Sequence, residues 1–214
     1  MEWNEIYKKL GIVQKEPRDS VKVLVPLFKK EKVEKILDLG CGTGRHTIFL
    51  AQQGFLTVGS DNAQSAIDIT QSIVKEAGIE NILLLQNDMT TIPCPDEHFD
   101  AIVCYDVIQH GLLKDVKKTI DEMKRVLKKN GLIFVGVVST KHYSYGTGKE
   151  IESGTFIGMK DKLDGHIPHH FYTEPEIRNV FSDFDIIELK ENICPSETSP
   201  DKMSGEWLLV ARKK

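Results

Sequence analysis

The sequence predicts an α/β fold, an open and mostly parallel β-sheet covered by helices on both faces. Three observations carry this. From Lys35 onward, short apolar runs alternate with helical stretches, the pattern of parallel strands joined by helical crossovers. The runs are almost continuously apolar, as strands covered on both faces must be, whereas half-exposed strands alternate strictly. The first run ends in a cluster of glycines directly before a helical stretch, at the carboxyl edge where such sheets gather ligands.

The segment ahead of the sheet reads as two helical pieces divided around Gly11 and Pro17. Trp3, Ile6, Tyr7 and Leu10 recur at spacings of three and four and form one apolar stripe. Val21, Leu24, Val25 and Phe28 repeat the pattern, with Pro26 expected to kink or end that helix. Ile36 to Leu39 is the first strand. A helix from Thr43 carries Ile48, Leu50 and Ala51 toward the core and stops at Gly54. Phe55 to Gly59 is the second strand, and a helix from about Asn62 to Glu76 is ended by Gly78. Ile82 to Leu85 and Ala101 to Cys104 are the third and fourth strands. Ile120, Met123, Val126 and Leu127 mark the buried face of the next helix, closed by Gly131 before a fifth strand, Leu132 to Val138. Residues 139–168 then lose any clean period over a length too great for an ordinary loop. Thr173 and Glu176 have the spacing of a capping box, which predicts a short helix to about Phe181. Phe184 to Leu189 and Glu206 to Ala211 read as two last strands, joined by a polar segment around Pro195 to Pro200.

The 214 residues fit one domain, 1–214, with 1–30 as an N-terminal helical cap and 139–172 as a substrate-side insertion or lid. A hydrophobic share of 40% and a charged share of 28% exclude a disordered or fibrous chain. The net charge of −4 is spread without a basic stripe, which argues against a nucleic-acid partner. No run reaches membrane-span length and the first residues lack the pattern of a secretory signal, so a cytoplasmic location is expected, as monomer or homodimer. Cys41, Cys94, Cys104 and Cys194 contain no CxxC pair, which argues against structural zinc and dithiol redox chemistry.

The strongest local signal is Asp38-Leu39-Gly40-Cys41-Gly42-Thr43-Gly44, between the first strand and its helix. Gly40 and Gly42 permit backbone angles and a closeness of ligand approach that a Cβ would obstruct. Alone, such a turn indicates only a nucleotide-like ligand. Asp61 ends the second strand, at the offset of about twenty residues where a carboxylate accepts hydrogen bonds from ribose hydroxyls. Asp88 follows the third strand, placed either to accept from an adenine amine or simply to face solvent in a turn. Tyr105-Asp106-Val107 ends the fourth strand at the same edge. The glycine spacing differs from the GxGxxG of nicotinamide enzymes, and no GxxxxGK[ST] is present for a P-loop.

These features resemble the class I S-adenosylmethionine (AdoMet)-dependent methyltransferases, above all the small-molecule group with a DxGxGxG loop. The resemblance covers roughly residues 33 to 138 with specific motifs and continues through the last two strands. It implies a Rossmann-like sheet of seven strands in the order 3-2-1-4-5-7-6, with strand seven antiparallel, and AdoMet as cofactor. It implies that Gly40, Gly42 and Gly44 approach the methionine part, with Asp38 and Cys41 in the same loop. Asp61 and Asn62 would hold the ribose, Asp88 and Met89 would frame the adenine, and Tyr105 would face the sulfonium with Asp106. Cys41 invites a nucleophile reading, but the family commonly places a small structural residue there.

In-line methyl transfer needs alignment and exclusion of water, and a dedicated base only when the acceptor arrives protonated. Residues expected on the catalytic and substrate side are Tyr105, His110, His142, Tyr143 and His169. His110 either approaches the methyl or caps the following helix. The segment His166-Ile167-Pro168-His169-His170-Phe171-Tyr172 supplies a base, an aromatic wall, a metal ligand or only buried packing. No metal site is expected, because adjacent His169 and His170 point in different directions on an extended chain and no nearby carboxylate completes a convincing set. Trp3 and Tyr7 either form a lid over the cofactor or pack an amphipathic helix. The expected acceptor is a small molecule. The alternatives are an RNA or protein methyltransferase and a non-catalytic AdoMet-binding protein.

Overall fold

The computed structural model describes residues 3–160, 164–196 and 200–214. The expected helical cap, lid and strand-joining segment also extend into residues 1–2, 161–163 and 197–199, which lie outside the described residues.

Helices α1 (Trp3–Leu10), α2 (Asp19–Lys22) and α3 (Val25–Lys30) precede the sheet. Then follow β1 (Lys35–Leu39), α4 (Arg45–Gln52), β2 (Leu56–Asp61), α5 (Gln64–Glu76), β3 (Ile82–Gln86), β4 (Phe99–Tyr105), α6 (Leu113–Val126) and β5 (Leu127–Val138). The chain ends with α7 (Glu174–Val180), β9 (Phe184–Pro195) and β10 (Met203–Lys213), after an insertion that holds β6 (Lys149–Glu152), β7 (Thr155–Ile157) and β8 (His169–His170). The main sheet has seven strands in the order β3-β2-β1-β4-β5-β10-β9, and β10 runs antiparallel to both its neighbours. This is the order that the resemblance implies.

One cluster of buried side chains, including Leu37, Ile102, Val116, Met123 and Phe181, packs α6 and α7 onto one face. A second, including Phe28, Ile36, Leu50, Val103 and Phe134, packs α3 and α4 onto the other. Leu39 is in register with Ser60 on one side and Cys104 on the other, and Asp61 with Gln86. The ends of β1, β2, β3 and β4 therefore share one edge, where their loops collect.

Several boundaries differ from the sequence expectation. Pro26 opens α3 instead of ending a helix, because a first-turn residue needs no N–H donor. Helix α4 begins at Arg45 and buries His46 and Thr47 with Leu50 and Ala51, while Ile48 is only half-buried. Helix α6 ends at Val126, and Gly131 lies inside β5. There the pairing with β4 skips from Phe99–Leu127 to Ala101–Leu132, and Asn130 sits at φ +62°. Residues 139–168 lack a period because their strands β6 and β7 are too short to display one. They and β8 form a three-stranded antiparallel sheet, with Val138, Phe156, Met159 and Phe171 as a small core. Thr173 stands at the N-cap of α7 without a side-chain cap bond, and the Glu176 carboxylate instead faces His170 Nε2 at 2.8 Å. No helix among the described residues is long and apolar enough to cross a membrane.

Candidate cofactor and acceptor site

The glycine loop leaves β1 with Gly40 at φ +69° and Gly42 at φ +53°. A Cβ on Gly40 would lie 2.2 Å from Val107 Cγ2, and one on Gly42 would lie 2.8 Å from the Tyr7 hydroxyl. The loop is thus pressed between the end of β4 and helix α1. Gly44 donates its N–H to Cys41 O at 3.0 Å and forms the N-cap of α4. Asp38 lies beneath the loop, fully buried, and accepts from Thr47 Oγ1 at 2.6 Å. Burial raises its pKa to about 6 in spite of that bond. Asp38 reaches the wall of neither cavity at this edge, so it braces the loop from behind. Burial also pushes the Cys41 thiol well above its usual range, with Asp38 and Asp61 adding to the shift. A thiol held protonated is a poor nucleophile.

A first cavity of about 630 Å³ opens in front of the loop. Its walls come from four strand ends: Leu39 and Gly40, Ser60 to Asn62, Asn87 to Met89, and Asp106 with Val107. Trp3, Asn4 and Tyr7 of α1 roof it, together with His166, Ile167 and Pro168. The expected Asp61, Asn62, Asp88 and Met89 are thereby brought together. Asp61 Oδ2 accepts from Gly42 N at 2.8 Å and Oδ1 from Ala63 N at 2.9 Å. Each oxygen keeps a second lone pair for a ligand, and burial raises the pKa of this carboxyl. Asp88 Oδ1 accepts from Thr90 N and Thr90 Oγ1 at 2.8 and 2.7 Å, which shapes the turn after β3.

Two polar atoms of this wall, Ser60 Oγ and Asn87 Oδ1, are buried with no hydrogen-bond partner among the described residues. Buried polar groups without partners are rare in folded proteins, and a polar ligand in the cavity would supply them. Carboxylates, an amide and a hydroxyl beside the apolar Leu39, Met89 and Val107 suit a nucleoside with free ribose hydroxyls. AdoMet therefore fits the residues present.

A second cavity of about 430 Å³ adjoins the first, and Trp3, Tyr7, Gly40, Asp106 and His110 line both. Tyr105 stands in its wall and donates its hydroxyl to Glu206 Oε2, while Glu206 Oε1 accepts from Asn192 Nδ2 at 2.9 Å. Burial raises the Tyr105 pKa well above its ordinary value, with Asp106 and Glu206 adding to the shift. The guanidinium carbons of Arg18 and Arg45 lie 5.2 and 5.7 Å from the Tyr105 ring centroid, placing two cations beside the loop. Asp106 sits at φ +61°, a strained angle of the kind that collects at functional sites. Its pKa is raised by burial against the lowering effect of Arg18 and Arg45.

His142, Tyr143 and His169 all line this second cavity. Ser144 N donates to His142 Nδ1 at 3.1 Å, so that ring nitrogen acts as an acceptor. His169 is fully buried, with Nδ1 2.8 Å from Ile167 O and Nε2 3.0 Å from Asp164 Oδ2. His170 is turned away from the cavity toward Thr155 and Glu176. Trp3 and Tyr7 line both cavities, and buried Ile6 packs α1 in place.

Arg18, Arg45, Asn87, Asp164 and Glu206 belong to these walls and were missed by sequence reasoning. Two carried a signal: Arg45 directly follows the glycine loop, and Glu206 is a lone acid at the head of the apolar run Trp207 to Ala211. Asp164 falls in the stretch without periodicity, where spacing says nothing about which way a carboxylate turns.

Residues 36–131 match the methyltransferase domain family. The chain is similar to the uncharacterized methyltransferase YcgJ of Bacillus subtilis, at 31% identity over 97 residues, 45% of this chain and 38% of that protein. It is similar to the ubiquinone biosynthesis O-methyltransferase of Rickettsia conorii, at 30% identity over 177 residues, 82% of this chain and 57% of that protein. The chain thus spans about half the length of these curated relatives. A SAM-dependent methyltransferase from Methanosarcina mazei superposes with a TM-score of 0.76 at 21% identity, covering 88% of this chain and 97% of that one.

Proposed function

From a chain that carries a methyltransferase domain and the class I AdoMet-dependent methyltransferase-like fold, we propose that it transfers the methyl group of AdoMet to a small-molecule acceptor. When bound, AdoMet supplies an electrophilic methyl on a sulfonium, and the acceptor lone pair takes that methyl while the C–S electrons stay on sulfur. The observation that supports this best is the pair of adjoining cavities: one has nucleoside-like walls, the other an aromatic and charged lining, and they meet at Gly40, Asp106 and His110.

In this reading Asp61 and Asn62 hold the ribose, and Asp88 and Met89 border the adenine. Gly40 and Gly42 approach the methionine part, and Gly44 shapes the loop that presents them. Arg18 and Arg45 balance the carboxylate of the methionine part. Tyr105, His110, His142, Tyr143 and His169 surround the acceptor, and Tyr105 is held in place by Glu206. Asp106, whose raised pKa makes it a stronger base than an ordinary carboxylate, takes a proton from an acceptor that arrives protonated. Trp3, Tyr7 and residues 166–168 close over the site and exclude water.

A small acceptor is supported by the compact size of the second cavity, about 430 Å³, and by the similarity to a ubiquinone biosynthesis O-methyltransferase. The test is a methyl-transfer screen over small amines, thiols, carboxylates and phenols, with bulk RNA alongside. Turnover of a small compound is expected; transfer to RNA alone would overturn the acceptor class. Asp106→Asn is expected to lower kcat by about 10²-fold for a protonated acceptor, within the range of general base catalysis, with little change in cofactor affinity.

A further inference from the structure

We propose that His110, Asp164 and His169 form a site for one divalent transition-metal ion in the wall of the second cavity. One donor atom from each lies within 4.8 Å of the others, and all three residues line that cavity. They come from separate parts of the chain: His110 from the loop after β4, Asp164 from the insertion, His169 from β8. The backbone bond from His170 N to Gln109 O, at 2.8 Å, locks β8 against the loop that carries His110. The two imidazole rings meet edge to face with centroids 4.5 Å apart.

The state of His169 is the stronger observation. Ile167 O can only accept, so Nδ1 carries a proton and donates to it at 2.8 Å. His169 Nε2 then faces Asp164 Oδ2, an acceptor, at 3.0 Å. His169 is fully buried and Asp164 partly exposed, and the short contact between Nε2 and the carboxylate requires a proton or a metal cation between them. A metal-bound histidine characteristically donates its other nitrogen to a carbonyl or carboxylate, which fixes the ligating tautomer. Ile167 accepts that bond here. Two ligands each about 2.1 Å from a shared ion stand about 3.4 Å apart at the tetrahedral angle, within a few tenths of an ångström of the 3.0 Å between His169 Nε2 and Asp164 Oδ2. The His110 donor nitrogen lies within 4.8 Å of the other two donor atoms.

Two imidazoles and one carboxylate suit Zn²⁺, Mn²⁺, Fe²⁺, Co²⁺ or Ni²⁺ better than Mg²⁺ or Ca²⁺, which prefer all-oxygen shells. Three protein ligands leave positions open toward the cavity. If the second cavity is the acceptor pocket, as in the methyl-transfer reading, those positions take an oxygen or sulfur donor of the acceptor. The metal site itself stands without that reading.

The test is equilibrium dialysis of the full chain against Zn²⁺, with metal analysis, and titration with Co²⁺ followed by its visible absorption. One equivalent of Zn²⁺ and a Co²⁺ spectrum of low coordination number are expected. Asp164→Asn and His169→Ala should each weaken binding at least tenfold, and His110→Ala should weaken it too. Far-UV circular dichroism and thermal melting of the same samples report that the variants are folded, and S-adenosylhomocysteine binding by the unaltered protein reports separately on the methyl-transfer reading. Should His169→Ala fail to fold, the near-isosteric Asp164→Asn decides. Absence of stoichiometric binding by the unaltered protein, or binding that survives both Asp164→Asn and His169→Ala, overturns the proposal. Metal bound by a protein that does not bind S-adenosylhomocysteine would sink the methyl-transfer reading and leave the metal site standing.

Discussion

Burial holds the Asp38 carboxyl near a pKa of about 6 although Thr47 donates to it. Its ordinary value is 3.8, so between pH 3.8 and 6 the folded state keeps a proton that the unfolded chain releases. Stability is therefore present in full below that window, falls as pH rises through it, and is flat above. The whole effect is on the order of 3 kcal/mol. Asp38→Asn cannot titrate, so the melting temperature of the unaltered protein relative to this variant is expected to fall from pH 4 to pH 6.5 and then level off. A constant difference across that range would contradict the account. Gly40 is constrained differently, by a positive φ and by Val107 Cγ2, which an added methyl would meet at 2.2 Å. Gly40→Ala is expected to lose about 1–3 kcal/mol, read as a melting temperature lower by about 2–4 °C per kcal/mol, and to abolish measurable S-adenosylhomocysteine binding. Both residues were legible as part of a motif. That Asp38 braces the loop from behind, instead of lining the cavity, was not legible, because spacing along a strand does not say how deep a side chain ends.

Helix α1 is held to α5 by a cap supplied from outside. Ala63 stands at the N-cap of α5 and has no side-chain acceptor, so Asn4 of α1 supplies one, accepting from Ser65 N at 2.9 Å. Ser65 Oγ donates to Asn4 O at 2.8 Å in return. Losing a cap costs about 1 kcal/mol. Asn4→Ala is therefore expected to loosen the roof, with S-adenosylhomocysteine affinity lower by about fivefold, while far-UV circular dichroism is unchanged. Unaltered affinity would show that α1 does not cover the bound cofactor. The α1 stripe was legible from its period, but its dock was not, since capping across helices leaves no spacing signal. The Thr173 and Glu176 pair makes the complementary point. The spacing of a capping box was present, and His170 claimed the Glu176 carboxylate through a contact that only the insertion brings about.

At the scale of the molecule, the sheet was legible because each strand is a buried apolar run and each crossover a helix, so composition and order both survive in the sequence. The cofactor side was legible for the same reason: Asp61, Asp88 and Asp106 follow strand ends and are gathered by parallel register at one edge. The second cavity is assembled from loops, the insertion and the far strand β10, whose residues meet only in three dimensions; Arg18, Asp164 and Glu206 carry no common period. The central claim is that the first cavity holds the nucleoside part of AdoMet with Asp61 at the ribose. Calorimetric titration of S-adenosylhomocysteine into the protein and into Asp61→Ala tests it most directly. One site per chain is expected, with affinity at least tenfold weaker in the variant, as for lost hydrogen bonds to a charged group worth about 1.5–3 kcal/mol. No binding to the unaltered protein, or equal binding to both, would contradict it.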